Sequence, residues 1–200
     1  MTLNNIFSSF FYMKNLNDSI DIKKLEKGAY DCRKFDKGTI VSNCGGWHSS
    51  SYNSFEKDDY KQKLIDLINV EINSVATEFG IKDKKLNVSN FWFNINGKKD
   101  YNKIHSHLKS VFSGVYYIKV PDRCGRLIFD APHTELMLSY LNYWHLDVDE
   151  FNEYNSSMWS IDPTPGDLVI FPSWLAHYTE PNMSNKDRIV LVFNSGVVKD

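Results

Sequence analysis

The punctuation of the chain after Gly80 constrains its fold more than any other feature. Seven short runs rich in Val, Ile, Tyr, Phe and Trp follow one another, at 86–95, 111–120, 127–130, 159–162, 168–171, 176–179 and 189–198. Turn-forming pairs separate several of them, among them Asn96-Gly97, Pro121-Asp122, Pro165-Gly166 and Pro181-Asn182. β-Branched and aromatic residues suit a pleated, half-buried surface, and Gly, Pro, Asn and Asp reverse the chain. A series of short strands spaced in this way predicts a sandwich or jelly roll.

The chain before Gly80 reads differently. Residues 58–79 carry a helical stripe, with Leu64, Ile65, Ile68, Ile72, Val75 and Phe79 at steps of three and four. Asp58 and Asp59 suit the positive end of that helix, and Gly80 stops it. A shorter helix is predicted over 20–29, a first strand over the apolar run 6–12, and turns over 31–52, anchored by Trp47. Helices come first and strands after, which argues against a parallel βαβ sheet. Two hundred residues, 42% of them hydrophobic, suffice for one core. The expected organisation is a single domain over 1–200: mainly β, with a helical flank over about 1–85 and an insert at about 131–157. That insert mixes Tyr140, Tyr143, Trp144, Phe151 and Tyr154 with the acidic stretch 147–150. It reads equally as a binding loop or as a helical packing insert.

Charge and composition exclude several classes. A net charge of −2 with no basic run announces no nucleic-acid surface. No stretch approaches the roughly 18 to 20 apolar residues of a membrane span, and the first residues lack the basic region of a secretory signal. Cys32, Cys44 and Cys124 are odd in number and lack zinc-type spacing, so they read as reduced thiols of a cytoplasmic protein.

Of the six histidines, His105 and His107 are the informative pair. Residues two apart on an extended segment point to one side, so both imidazoles can meet one ion. His177, at the start of the run 176–179, is the obvious third ligand. Arg188 lies eleven residues on, where the last strand opens, and adjacent antiparallel strands would bring the two together. His48, His133 and His145 lack partners at ligand spacing and read as solvent-facing or capping. Trp92, Trp159 and Trp174 read as core, with Trp174 near enough to His177 to wall a pocket. Of Tyr116 and Tyr117, one is expected in the core and one at the surface.

The ordered set resembles the iron(II)- and 2-oxoglutarate-dependent oxygenases: His105-x-His107, then Gly114-Val115-Tyr116-Tyr117-Ile118, Phe171-Pro172, His177, and Arg188 leading to Phe193-Asn194. The resemblance runs from about Phe91 to Asn194, with 131–157 fitting poorly. It implies a double-stranded β-helix, the cupin-like jelly roll, and an enzyme that couples decarboxylation of 2-oxoglutarate to hydroxylation of a C–H bond. It implies iron(II), oxygen and 2-oxoglutarate as cofactors and co-substrates, with ascorbate as a reductant. His105, His107 and His177 would be the metal ligands and catalytic residues, and Arg188, Tyr117 and Asn94 would hold the co-substrate. Non-haem oxygenases need three facial ligands with open positions beside them, and a buried guanidinium suits the far carboxylate.

The sequence departs from the wider superfamily at position 107, where a carboxylate is commoner, and at Val190, where a hydroxyl residue is commoner. Asp130 is a candidate surrogate carboxylate. The substrate is left open between a peptide side chain, suggested by fold-level analogy, and a small molecule. The oligomeric state is open too, a homodimer included. The rival readings are a non-catalytic jelly-roll binding module and a cupin-type metal dioxygenase that does not use 2-oxoglutarate. A cation deep in the pocket separates the first reading from these.

Overall fold

The strand-rich half of the chain folds where its punctuation places it. The structure, a computed structural model, describes residues 3–4, 6, 8–54, 59–133, 135–136, 139 and 143–198. The seven predicted runs appear as β4 (Leu86–Asn96), β6 (Phe112–Lys119), β7 (Leu127–Asp130), β8 (Met158–Ile161), β9 (Asp167–Pro172), β10 (His177–Thr179) and β11 (Arg188–Val197). Four short strands complete the set: β1 (Tyr12–Asn15), β2 (Asn43–Cys44), β3 (Trp47–His48) and β5 (Tyr101–Asn102). A six-stranded sheet runs β1-β9-β6-β11-β4-β3, a three-stranded sheet β10-β7-β8, and β2 pairs β5; every pairing is antiparallel.

The large sheet is covered on both faces. Helix α2 (Asp59–Glu78) buries Leu64, Ile65, Ile68, Ile72 and Val75 against Phe91, Phe93, Tyr116, Leu191 and Phe193. The small sheet supplies Leu127, Phe129 and Ile161 to a second core on the opposite face, with Val115, Tyr117, Val169 and Val190. Tyr116 and Tyr117, neighbours on β6, therefore both become buried, one on each side. The expectation of one surface tyrosine fails because the sheet is covered on both faces at β6. Gly114, in the same motif, is required by packing: a Cβ there would lie 2.3 Å from Phe193 Cζ and 2.5 Å from the Val169 carbonyl.

Two N-terminal expectations are corrected. The first strand begins only at Tyr12, opposite Ile170 of β9; residues 8–11 lie outside the ladder. Phe10 instead packs its ring against Phe79 and Phe112, at 5.6 and 6.2 Å between centroids. Helix α1 runs Ile22–Phe35, past the predicted end at 29. Asp21 caps its N-terminus, Tyr30 and Cys32 still pack on the core, and Arg33 and Lys34 suit the negative end of the dipole. The turn-rich stretch thus begins at Asp36, whose carbonyl accepts from Trp47 Nε1. Phe79 lies beyond the end of α2 and is largely exposed, and Gly80 there takes a φ of +89°. Asp58 lies outside the described residues.

Candidate active site

Antiparallel register lines up a row of polar side chains across the inner face of the large sheet. Val190 on β11 stands opposite Asn94 on β4 and Tyr117 on β6, and Arg188 stands opposite Asn96. One step the other way, Val192 stands opposite Trp92 and Val115. Alternation sends all of these toward the small sheet, and all line one narrow cavity of about 50 Å³. That is several times the ~10–15 Å³ one ordered water requires, so the cavity admits a slender chain.

His105 and His177 are joined by reciprocal main-chain hydrogen bonds of 3.0 Å, and the His107 N–H donates to the Ser173 carbonyl at 2.8 Å. These bonds pin the 105–107 turn onto the loop that leads into β10. The three imidazoles gather there, with one nitrogen of each within 4.8 Å of the others. Ring centroids lie 4.4 to 5.1 Å apart.

The outer nitrogen of each ring is already engaged. His105 Nδ1 donates to the Lys103 carbonyl at 2.7 Å and His177 Nδ1 to the Leu175 carbonyl at 2.9 Å. A carbonyl can only accept, so each Nδ1 carries the proton and each Nε2 keeps a free lone pair. His107 Nδ1 meets Asn194 Oδ1 at 2.6 Å, and the same oxygen accepts from Ser113 Oγ at 2.7 Å. Such partners fix the tautomer and aim of metal-binding histidines.

Burial also keeps the three rings uncharged. Desolvation depresses His105, His107 and His177, and each is lowered further by a neighbouring histidine; His177 falls to about 3. Neutral imidazoles are the protonation state that binds a cation. A consequence follows for acid stability. Between an unfolded histidine pKa near 6.5 and the folded value, the unfolded chain binds protons that the folded chain refuses. Stability of the metal-free protein is therefore full above about pH 6.5 and falls as the pH drops toward 3. For His177 alone the slope is up to about 1.4 kcal/mol per pH unit. Thermal melts should fall by several degrees between pH 7 and 5; a flat profile there would contradict the burial of these rings.

Arg188, 2% exposed, lies across the cavity. Its Nη1 donates to the carbonyls of Cys124, Gly125 and Glu180, and its Nη2 to Thr179 Oγ1 at 3.0 Å and Asn96 Oδ1 at 3.3 Å. All five acceptors are neutral, so the guanidinium has no carboxylate partner among the described residues. Thr179 lies two residues along β10 from His177, about 7 Å by strand rise. Between the two ends, Asn94 Oδ1 is buried without a hydrogen-bond partner. Burial raises Tyr117, and the positive charge of Arg188 draws it back down in part. Three lone pairs at one end, an unpaired cation at the other and an orphaned amide between them fit a metal ion and a short dicarboxylate.

A sequence model of the family described as "Putative 2OG-Fe(II) oxygenase" matches residues 90–194, more than half of the chain. The chain belongs to the 2OG-Fe(II) oxygenase family. It is thus an oxidoreductase of a family that uses iron(II), 2-oxoglutarate and oxygen. The fold agrees. A Pseudomonas putida prolyl-4-hydroxylase is similar at a TM-score of 0.65 and 12% identity, covering 94% of this chain and 93% of that one. A viral collagen prolyl hydroxylase from Paramecium bursaria chlorella virus 1, solved with 2-oxoglutarate, gives 0.60 and 15%, covering 94% and 96%. The epimerase SnoN of nogalamycin biosynthesis gives 0.66 and 10%, covering 94% and 78%. No curated protein matches the chain in sequence. No helix among the described residues is long and apolar enough to cross a membrane.

Several expectations about individual residues change in the oxygenase. His177 and Arg188 do not sit on adjacent strands: β10 belongs to the small sheet and β11 to the large one, and Arg188 meets β10 by reaching across the sandwich. Asp130 is absent from the imidazole cluster and lines a different cavity. Trp159 and Trp174 are about half exposed and neither lines the narrow cavity, since Trp159 lies on the edge strand β8 and Trp174 on the turn between β9 and β10; Trp92 alone of the three is core. His48 is buried. Its ring stacks on Trp92 at 5.3 Å, and Trp92 in turn lies 5.7 Å from His107. Only the pairing of β3 with β4, which sets His48 opposite Asn94, brings it here; no spacing in the sequence signals that. His133 and His145 are exposed, as expected. In the insert, residues 135–136, 139 and 143–144 are helical, yet Tyr143, Trp144 and Phe151 are exposed, so these side chains do not pack as a helical insert would. Tyr140 lies outside the described residues.

Proposed function

We propose that the oxygenase is a C–H hydroxylase in which His105, His107 and His177 hold iron(II) and Arg188, Tyr117 and Asn94 seat 2-oxoglutarate. The observation that carries this reading is the pairing of three Nε2 lone pairs with a buried, carboxylate-free guanidinium across one narrow cavity. Bound iron supplies the oxygen chemistry, in which a C–H bond, oxygen and 2-oxoglutarate become an alcohol, succinate and carbon dioxide.

The chain's own residues do the rest. Arg188 neutralises the far carboxylate of the co-substrate, and the Tyr117 hydroxyl adds a second donor. Asn94, whose amide oxygen is otherwise unpartnered, turns its amide nitrogen to the cavity and donates to a carboxylate of the co-substrate. Val115, Phe171, Val190 and Val192 line the cavity and exclude water, which strengthens each polar contact inside it. Val190 offers no hydroxyl, so Tyr117 carries that contact alone. With an imidazole at position 107, the ligand set is one unit more positive than the commoner two-His, one-carboxylate set. A peptide side chain as substrate is supported by the prolyl hydroxylases among the similar structures.

The test is aerobic incubation with iron(II), ascorbate and 2-oxoglutarate, scoring succinate. Turnover above a no-enzyme blank is expected even without substrate. Absence of both succinate and 2-oxoglutarate binding in iron-loaded protein would overturn the reading. Asn194 gives a subtler test. Asn194→Ala removes the acceptor that fixes the His107 tautomer and should weaken cobalt(II) or iron(II) affinity about 10- to 100-fold, with the fold retained by circular dichroism. Unchanged affinity would mean that His107 does not ligate through Nε2.

A further inference from the structure

Beside the imidazoles lies a larger cavity, of about 600 Å³, that the chemistry above leaves unused. Residues 8–11 before β1, the end of β7, Tyr154 and the first residues of β8 line it. It adjoins the imidazole cluster through two walls. Phe129 has its ring 6.2 Å from that of His177, and the Leu175 carbonyl accepts from His177 Nδ1. Phe11 stacks on Phe129 at 6.0 Å, and the register sets Trp159 opposite Phe129 and Met158 opposite Asp130. Phe11, Tyr154 and Trp159 keep 37%, 44% and 46% of their surface exposed. These are large aromatic faces left open inside a concavity.

The charges of this cavity have one sign. Asp130 and Glu153 line it with His133, and among the described residues no lysine or arginine does. Asp130 is half-buried, its carboxylate makes no hydrogen bond or ion pair among the described residues, and burial raises its pKa. A partly desolvated carboxylate is costly unless a cation or donor completes it, and aromatic faces attract cations in their own right. The volume exceeds what one side chain fills and lies within the range of ligand sites.

We propose that this groove is the substrate cleft and that its occupant is a polypeptide segment bearing a lysine or arginine side chain, paired with Asp130 among the aromatic rings. What the enzyme does to that segment rests on the hydroxylase reading; its binding does not.

The test therefore uses the metal-free, full-length chain. Blocked nine-residue peptides identical except for a central Lys, Arg, norleucine or Glu are titrated by calorimetry or NMR. The Lys and Arg peptides should bind at least about tenfold more tightly than the norleucine peptide, with the Glu peptide weakest. Asp130→Asn should reduce that preference to less than about twofold, and Trp159→Ala should weaken the Lys peptide severalfold. Equal affinity for the Lys and norleucine peptides, or no binding at millimolar concentrations, overturns the proposal. Binding of butylammonium as tight as that of the Lys peptide overturns the polypeptide as occupant. Cobalt(II) titration separates the two readings: discrimination among peptides in a protein that fails to bind cobalt leaves the cleft standing without the metal centre. Cobalt binding without discrimination leaves the metal centre without the cleft.

Discussion

His177→Ala should purify without stoichiometric iron and lose succinate formation by at least about a hundredfold. Removing one of the three proposed ligands leaves two imidazoles on a turn, and among the described residues no carboxylate joins them in the cluster. The effect should be chemical, since His177 is tied to His105 through main-chain atoms that alanine retains. A modest structural cost accompanies it. The ring packs against Phe171 at 4.6 Å, and its loss leaves a void and an unpaired Leu175 carbonyl. That is worth about 1–3 kcal/mol, or several degrees of melting temperature. The variant should also lose stability less steeply below pH 6.5, because the most depressed of the three imidazoles is gone. Inductively coupled plasma analysis, succinate assay and melts at two pH values check the three parts. Full metal occupancy in this variant would remove His177 from the centre.

Arg188→Ala should leave the metal in place and weaken 2-oxoglutarate by about a hundredfold or more. Truncating one partner of a buried charge pair costs about 2–5 kcal/mol, and each 1.4 kcal/mol is tenfold. Calorimetric titration of 2-oxoglutarate into cobalt-loaded protein measures it. A second effect follows from the acceptors this guanidinium satisfies. Cys124, Gly125 and Glu180 belong to loops beside the small sheet, and Arg188 ties them to the large one. Their carbonyls lose a charged donor, so the melting temperature should fall with or without ligand. Arg188→Lys separates the roles: it retains the charge and loses the planar fork, so it should recover part of the affinity. Unaltered 2-oxoglutarate affinity in Arg188→Ala would place the carboxylate site elsewhere.

Much of this was written in local pattern. The β-branched and aromatic runs of β4, β6, β9 and β11 and the turn pairs between them set the strands, because strand preference and backbone reversal depend on neighbours in the chain. The His-x-His pair, the later histidine and the arginine could be recognised as a set for the same reason. The motif glycine at 114 was visible too, though only packing shows that a Phe193 ring occupies the space a Cβ would need.

What lay outside local pattern was the partner of each strand and the covering of each face. Whether β10 joins the sheet of β11 or opposes it decides whether His177 and Arg188 are neighbours or face each other, and the residues of β10 are compatible with both. Tyr116 could not be told from a surface residue until the helices were seen to cover that face. His48 gained its place beside Trp92 only when β3 closed the edge of the large sheet. The sequence alone determined the residue types and their order along each strand. The tertiary structure alone decided which pairs face one another, because burial and opposition are set by chain segments tens of residues apart, and no short window of sequence contains both sides of a contact.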